Sequence, residues 1–202
     1  MHYFVTAIGT DSGKTVASAI LTEALTADYW KPIQAGLPKD SEAVKSLLSN
    51  KKSTILPEQH VLKLPASPHY AADIDGIQLN VKDFALPKSN NGHLVIEGAG
   101  GVLVPINQSE FVIDIAQQLN SPVILVCNLY LGSINHSLLS LQELKSRNIN
   151  LKGIIFNGEA NPASEQIITR YAQVPVLLRI KRENSMNKAV IKRYAEMLKD
   201  KL

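Results

Sequence analysis

An α/β fold, with a mainly parallel β-sheet flanked by helices on both faces, is predicted by three observations. Short apolar runs alternate with longer amphipathic ones along the chain, the pattern of a βαβ series. The first apolar run breaks into a loop of small residues that opens directly onto a helix. A later one, His93 to Glu97, carries a carboxylate to its end and gives way to glycines. With 202 residues, 45% of them apolar and 19% charged, the chain can bury a full core, and we expect one domain over residues 1–202.

The periodicity predicts strands over 2–7, 28–32, 93–97, 122–127, 151–156 and 174–178. Helices are expected between them, over 14–27, 41–49, 110–119, 134–147, 161–172 and 186–199. The first carries Val16, Ile20, Leu21, Ala24 and Leu25 on one side, so it should lie along the sheet. The last is polar enough to lie at the surface. Residues 50–92 are broken by Pro57, Pro65, Pro68 and Pro87, and the pattern there is the least legible.

Charge and composition exclude several functions. A formal charge of +3, with Lys and Arg scattered except near the end of the chain, leaves no stripe for nucleic acid. The single cysteine, Cys127, sits in the apolar run Pro122 to Cys127 and reads as a small buried hydrophobe. No leader pattern is seen, and no apolar run approaches the ~20 residues that cross a bilayer. A cytoplasmic protein without membrane or nucleic-acid partners is the expectation.

Tyr3 to Thr15 reads as strand, small-residue loop and helix start, ending in Gly13-Lys14-Thr15. Successive backbone N–H groups of such a loop converge on phosphate oxygens, and the helix beginning at Lys14 adds the positive end of its dipole. The Lys14 ammonium reaches the outer phosphates and the Thr15 hydroxyl ligates Mg²⁺. The sheet is therefore expected to be P-loop NTPase-like. The strict spacing asks for glycine where Ile8 stands, and Ala7, one place earlier, should sit at negative φ.

Two further strand ends bear on the same crevice, because ligands of a parallel sheet lie beyond the carboxyl ends of its strands. Tyr29 to Gly36 delivers Lys31, which position alone leaves open between a second cation near the γ-phosphate and a surface lysine before a proline turn. Asp40 or Ser41 looks like the N-cap of the following helix, and Glu42 one turn inside is within reach of a metal. Glu97, at the end of a strand as apolar as Leu94-Val95-Ile96, is placed to hold Mg²⁺ directly or through water. Gly98 to Gly101 would let backbone N–H groups approach an anion.

The segments FVTAIGTDSGKT, YWKPIQAG, ASPHYAA, EGAGGVLVPI and PVILVCNLYLGSINHSLL, followed by the turn at Asn157, come in the order and at the spacing of dethiobiotin synthetase. The chain resembles that family closely over residues 1–160 and weakly beyond. The resemblance implies Mg-ATP-dependent ring closure of diaminopelargonic acid with CO₂, through a carbamate and a carbamic-phosphoric anhydride, in a homodimer. It makes Lys31 the active-site lysine, with Lys14 bridging the β- and γ-phosphates and Thr10 and Asp11 facing substrate and nucleotide. Thr15, Glu42 and Glu97 would hold the metal. Asp11, Ser12, Gly13, Lys14, Thr15, Val16, Glu97, Gly98, Ala99, Gly100 and Asn157 would line the ATP, with Asn157 reading the adenine edge. Lys31, Ala35, Gly132, Ser133, Ile134 and Asn135 would meet the diamine, the last four holding its distal carboxylate across the subunit boundary. His69 also matches the family, and alone it reads as structural.

Some positions depart from the family. Ala35 stands where serine or threonine is usual, so only its backbone can serve. Glu42 stands for a common aspartate, Ala7 for a glycine, and Leu178 to Glu183 for a Gly-x-Ile-Pro-like adenine loop. Two other functions are weighed: a nucleotide-switch ATPase of the same broad group, acting on a protein partner, and a phosphate-binding module without chemistry. The switch proteins commonly carry an extra lysine early in the loop, where this chain reads Ala7-Ile8-Gly9-Thr10.

Overall fold

Tyr3, Val5 and Ala7 point to one side of the first strand and Phe4 to the other, and each side gathers its own apolar cluster. In the computed structural model, which describes residues 1–202, the strands are β1 (His2–Ala7), β2 (Asp28–Trp30), β3 (Ile33–Ala35), β4 (His60–Leu62), β5 (Leu94–Glu97), β6 (Val123–Asn128), β7 (Leu151–Asn157) and β8 (Val176–Ile180). The helices are α1 (Lys14–Leu25), α2 (Asp40–Leu47), α3 (Pro68–Asp75), α4 (Val112–Gln118), α5 (Ser133–Ser146), α6 (Pro162–Ala172) and α7 (Lys188–Leu198). Six strands form a parallel sheet in the order β2-β5-β1-β6-β7-β8, and β3 and β4 pair separately. Helices α1, α2 and α7 cover the Val5 side, and residues of α3, α4, α5 and α6 pack on the Phe4 side.

This order follows from the sequence pattern. Strands buried on both faces read as continuous apolar runs, as Val123 to Cys127 does. Because β1, β5 and β2 are parallel neighbours, the loop after Ala7, the carboxylate of Glu97 and the Lys31 side chain all emerge at one edge of the sheet. No helix is long and apolar enough to cross a membrane.

The six expected strands and six expected helices are present, with shifted ends. β2 stops at Trp30, because Lys31 and Pro32 leave the sheet and the Pro32 carbonyl accepts from the Gln59 and His60 N–H groups. α7 starts at Lys188, where the Asn187 side chain accepts from the Ala189 and Val190 N–H groups. Its polar face is at the surface as expected, while Ile191, Tyr194, Ala195 and Leu198 form a buried i, i+3, i+4, i+7 stripe. The span 50–92 holds β4, α3 and a 3-10 turn at Val81–Asp83, none of which its broken pattern predicts.

One buried carboxylate ties that span to the sheet. Asp28 Oδ1 accepts from the Thr54 N–H at 2.8 Å and from Asn91 Nδ2 at 2.6 Å, and Oδ2 accepts from Ser89 Oγ at 2.7 Å and the Asn90 N–H at 3.2 Å. Burial alone would raise the Asp28 carboxyl, but the hydrogen bonds from Ser89, Thr54 and Asn91 outweigh it and hold it below its ordinary value. An unfolded Asp titrates near about 3.9, so this stabilisation is complete above that pH and is lost as pH falls through the lower folded value. Asp28→Asn should therefore cost about 2 kcal/mol in urea denaturation at pH 7, and the gap between variant and parent should narrow as pH falls below the ordinary aspartate value.

Candidate active site

Period-two alternation assembles the site. Tyr29 pairs with Val95 across β2 and β5, so the residues two further on, Lys31 and Glu97, fall on the same side, the side covered by α1. Lys31 Nζ lies 3.1 Å from Glu97 Oε1 and 2.5 Å from Asp40 Oδ2, and Thr15 Oγ1 on the first turn of α1 donates within 3.1 Å of Glu97 Oε1 and 3.2 Å of Asp40 Oδ1. Glu97 is fully buried and Lys31 is 4% exposed. Burial alone would strip the Lys31 proton, but the Glu97 and Asp40 carboxylates outweigh it and raise the ammonium above its ordinary value.

The loop from Ile8 to Gly13 closes over the strand end in a shape that needs glycine. Gly13 has φ +89°, and a Cβ there would lie 2.3 Å from Asn157 Nδ2, which donates to the Ser12 carbonyl at 3.0 Å. Asn157, at the end of β7, thus braces the loop from beneath. Lys14 Nζ donates to the Gly9 carbonyl at 3.2 Å, folded back along the loop, and burial brings its ammonium down to about 8. Loop, Lys31 and the two carboxylates face a cavity of about 590 Å³, whose other wall is Pro65 to Pro68 at the start of α3. Two ammonium groups, two carboxylates, a hydroxyl and a glycine-bounded loop converge there, a composition suited to phosphate with a hard cation.

A family model described as an AAA domain matches residues 1–190. The ATP-dependent dethiobiotin synthetase BioD of Cytophaga hutchinsonii is 53% identical over 199 residues, covering 98% of this chain and 97% of that protein. The chain belongs to the dethiobiotin synthetase family. The corresponding synthetase of Christiangramia forsetii is 50% identical over 202 residues, covering 99% of this chain and 97% of its own. Among solved structures, a ParA family ATPase from Chlorobium tepidum superposes with a TM-score of 0.56 at 12% identity over 96% of this chain and 97% of its own. The septum site-determining protein MinD from Pyrococcus horikoshii does so at 0.57 and 13%, over 97% and 95%. At such identities the likeness is one of fold, a P-loop α/β sheet, and the nucleotide-switch alternative is not favoured beside the synthetase relatives.

Of the residues that the dethiobiotin synthetase resemblance implies, Thr10, Asp11, Gly13, Lys14, Thr15, Lys31, Ala35, Glu97, Ala99 and Gly100 line the cavity. Ser12 is buried within the loop, Val16 is half-buried against the core, and Gly98 lies against the Phe4 ring, all off the cavity wall. Ala7 is the last residue of β1 and has no positive φ, as expected.

Glu42 requires correction. It is exposed on α2 and does not line the cavity, and the carboxylate that reaches Thr15 and Lys31 belongs to Asp40. Positions two apart on a helix face different directions, so only one of the two can meet the site. Nor does Asp40 or Ser41 cap the helix: Lys39 is the N-cap position, and Asp40 is the first helical residue.

Two partners of these groups were not anticipated. The Tyr29 hydroxyl donates to Glu97 Oε2 at 2.9 Å. Burial, then the charge of Glu97 and this hydrogen bond, push its phenol well above its ordinary value. Gln34 Oε1 accepts from the Asp40 N–H at 3.1 Å while its Nε2 donates to the Gly36 carbonyl at 2.9 Å, which holds the chain between them. The alternation Tyr29-x-Lys31 was the available signal for the first; the polar Gln34 between Pro32 and Gly36 was a weak one for the second.

Gly132, Ser133, Ile134 and Asn135 lie outside the main cavity, at the start of α5. Beside them a second cavity, about 320 Å³, is lined by His136, Leu139 and Glu143 together with Ile8, Thr10 and Leu103.

Proposed function

We propose that this chain is a cytoplasmic ATP-dependent dethiobiotin synthetase that closes the ureido ring of dethiobiotin from diaminopelargonic acid and CO₂, releasing ADP and phosphate. The observation that carries the reading is the buried Lys31 ammonium at the mouth of the phosphate loop, in a chain 53% identical to a synthetase along nearly its whole length.

The chemistry needs an anion to approach an anion. One amine of the diamine adds to CO₂ and loses a proton, giving a carbamate. A carbamate oxygen then attacks the γ-phosphorus, and ADP leaves with the electron pair of the broken P–O bond. The second amine attacks the carbonyl carbon of the mixed anhydride, the C–O bond breaks toward phosphate, and the ring closes. Backbone N–H groups of the loop and the N-terminus of α1 hold the phosphates, with Lys14 on the β- and γ-oxygens. Lys31, held charged by its two carboxylates, meets the carbamate and γ-phosphoryl oxygens where charge concentrates. Ala35 contributes backbone alone on the diamine side, a loss of about 1 kcal/mol relative to a hydroxyl contact. Asn157, whose Nδ2 is spent on the Ser12 carbonyl and which lies off the cavity wall, would read the adenine edge with its free amide oxygen.

A magnesium ion fits the donor set. Thr15 Oγ1, one Asp40 oxygen and Glu97 Oε1 are hard oxygens, each carboxylate oxygen within 3.2 Å of the hydroxyl, and these three residues would hold it. When bound, it neutralises oxygens of the outer phosphates. The ammonium of Lys31 balances the same carboxylates in the free protein, so the pair does not stand uncompensated.

The start of α5 supports a homodimer. Tyr130, Leu131, Ile134 and Leu139 are exposed, Leu131 completely, around the helix N-terminus that would receive the distal carboxylate of the partner's substrate.

ADP release should require diaminopelargonate when the protein is given ATP, Mg²⁺ and bicarbonate, and diamine-independent hydrolysis stimulated by a protein partner would contradict the reading. Lys31→Ala should lower turnover at least ~10³-fold while nucleotide still binds, a loss typical of removing a group that stabilises transition-state charge; cyclisation at the parent rate would refute its role. Sedimentation should give a dimer, and a strictly monomeric, fully active protein would count against the shared site.

A further inference from the structure

Each oxygen of Glu97 has its own set of partners. Oε1 accepts from Thr15 and Lys31, which line the cavity, whereas Oε2 accepts from the Tyr29 hydroxyl at 2.9 Å, in the core. Neither Tyr29 nor Glu97 has any exposed surface. The tyrosine is fixed at both ends: its N–H donates to the Thr54 carbonyl at 2.9 Å, its carbonyl accepts from the Leu56 N–H at 2.8 Å, and its ring is packed in the cluster beneath α1.

We propose that Tyr29 is a positioning residue that holds Glu97 as a one-oxygen ligand and so biases the site toward Mg²⁺ over Ca²⁺; this rests on the metal role given to Glu97 above. The terminal torsion of a glutamate is broad, and a carboxylate with two free oxygens can turn either or both toward a cation. The phenol removes that freedom by occupying Oε2. Small octahedral Mg²⁺ takes single carboxylate oxygens and keeps several waters, while larger Ca²⁺ gains from two-oxygen contacts. A carboxylate pinned from behind suits the first and withholds the extra contact from the second. Its geometry comes from the fold: pairing of Tyr29 with Val95 puts the phenol one alternation short of Glu97, at diagonal reach across β2 and β5.

The test is Tyr29→Phe, which keeps the ring in the core and removes only the hydroxyl. Binding of Mg²⁺ and of Ca²⁺ is measured by titration calorimetry in the presence of ADP, with Glu97→Gln as the reference and melting temperature recorded alongside. We expect Mg²⁺ affinity to fall about tenfold, the usual scale for losing a hydrogen bond that orients a metal ligand, with Ca²⁺ affinity falling less or rising. In turnover, the Mg²⁺ concentration for half-maximal rate should rise more than the rate at saturation falls. A Tyr29→Phe protein with a lower melting temperature and an unchanged Mg²⁺ to Ca²⁺ preference would overturn the proposal, since core packing alone would then account for the tyrosine. If Glu97→Gln left metal binding intact, the metal reading itself would fail and this inference with it.

Discussion

One buried ammonium shared by two carboxylates organises this molecule. Lys31, Asp40 and Glu97 come from the end of β2, the start of α2 and the end of β5, three places that local structure alone would not bring together. Lys31 and Glu97 are buried while Asp40 stays about one-third exposed; taking charges such as the first two out of water costs several kcal/mol for each ion, and removing one partner of a buried pair typically costs about 3–5 kcal/mol. A fold that accepts this cost must satisfy every member, and here it does. The Thr15 hydroxyl lies within hydrogen-bond reach of both carboxylates, Tyr29 donates to the far oxygen of Glu97, and Gln34 accepts the backbone N–H of Asp40.

In the proposed function the cluster gives the phosphate loop its chemistry. On its own the loop after β1 is an anion seat, with the N–H groups and the dipole of α1 behind it. The sheet order β2-β5-β1 sets a fixed cation and two hard-oxygen donors against that seat, at the one edge where three parallel strands end. The ParA and MinD relatives in fold share the sheet at 12% and 13% identity. The synthetase relatives share half or more of their residues over nearly the full chain, and membership of that family rests on them.

The long elements were legible in the sequence because burial on two faces leaves unbroken apolar runs, and because Gly13-Lys14-Thr15 follows a strand and opens a helix. Residues 50–92 were not. β4 has three residues, too few for a period to register, and α3 begins at a proline that also reads as a breaker. Asp40 was misread for a chemical reason: an aspartate at a helix start satisfies the capping rule whether or not its carboxylate is spent elsewhere. The resemblance sets Glu42 in the place of a common aspartate, and the helix turns it to solvent. Tyr29 was hidden by its own apolar ring, which explains its burial without mention of its hydroxyl.

The proposed mechanism has a carbamate oxygen meet the terminal phosphoryl of ATP beside Lys31. The direct measurement is oxygen transfer: turnover with ¹⁸O-labelled CO₂, with the released phosphate read by mass spectrometry or by its ³¹P isotope shift. The mechanism predicts one ¹⁸O atom in each phosphate, carried from the carbamate when the ring closes. Phosphate free of label, formed together with dethiobiotin, would contradict it, because the anhydride would then never have formed.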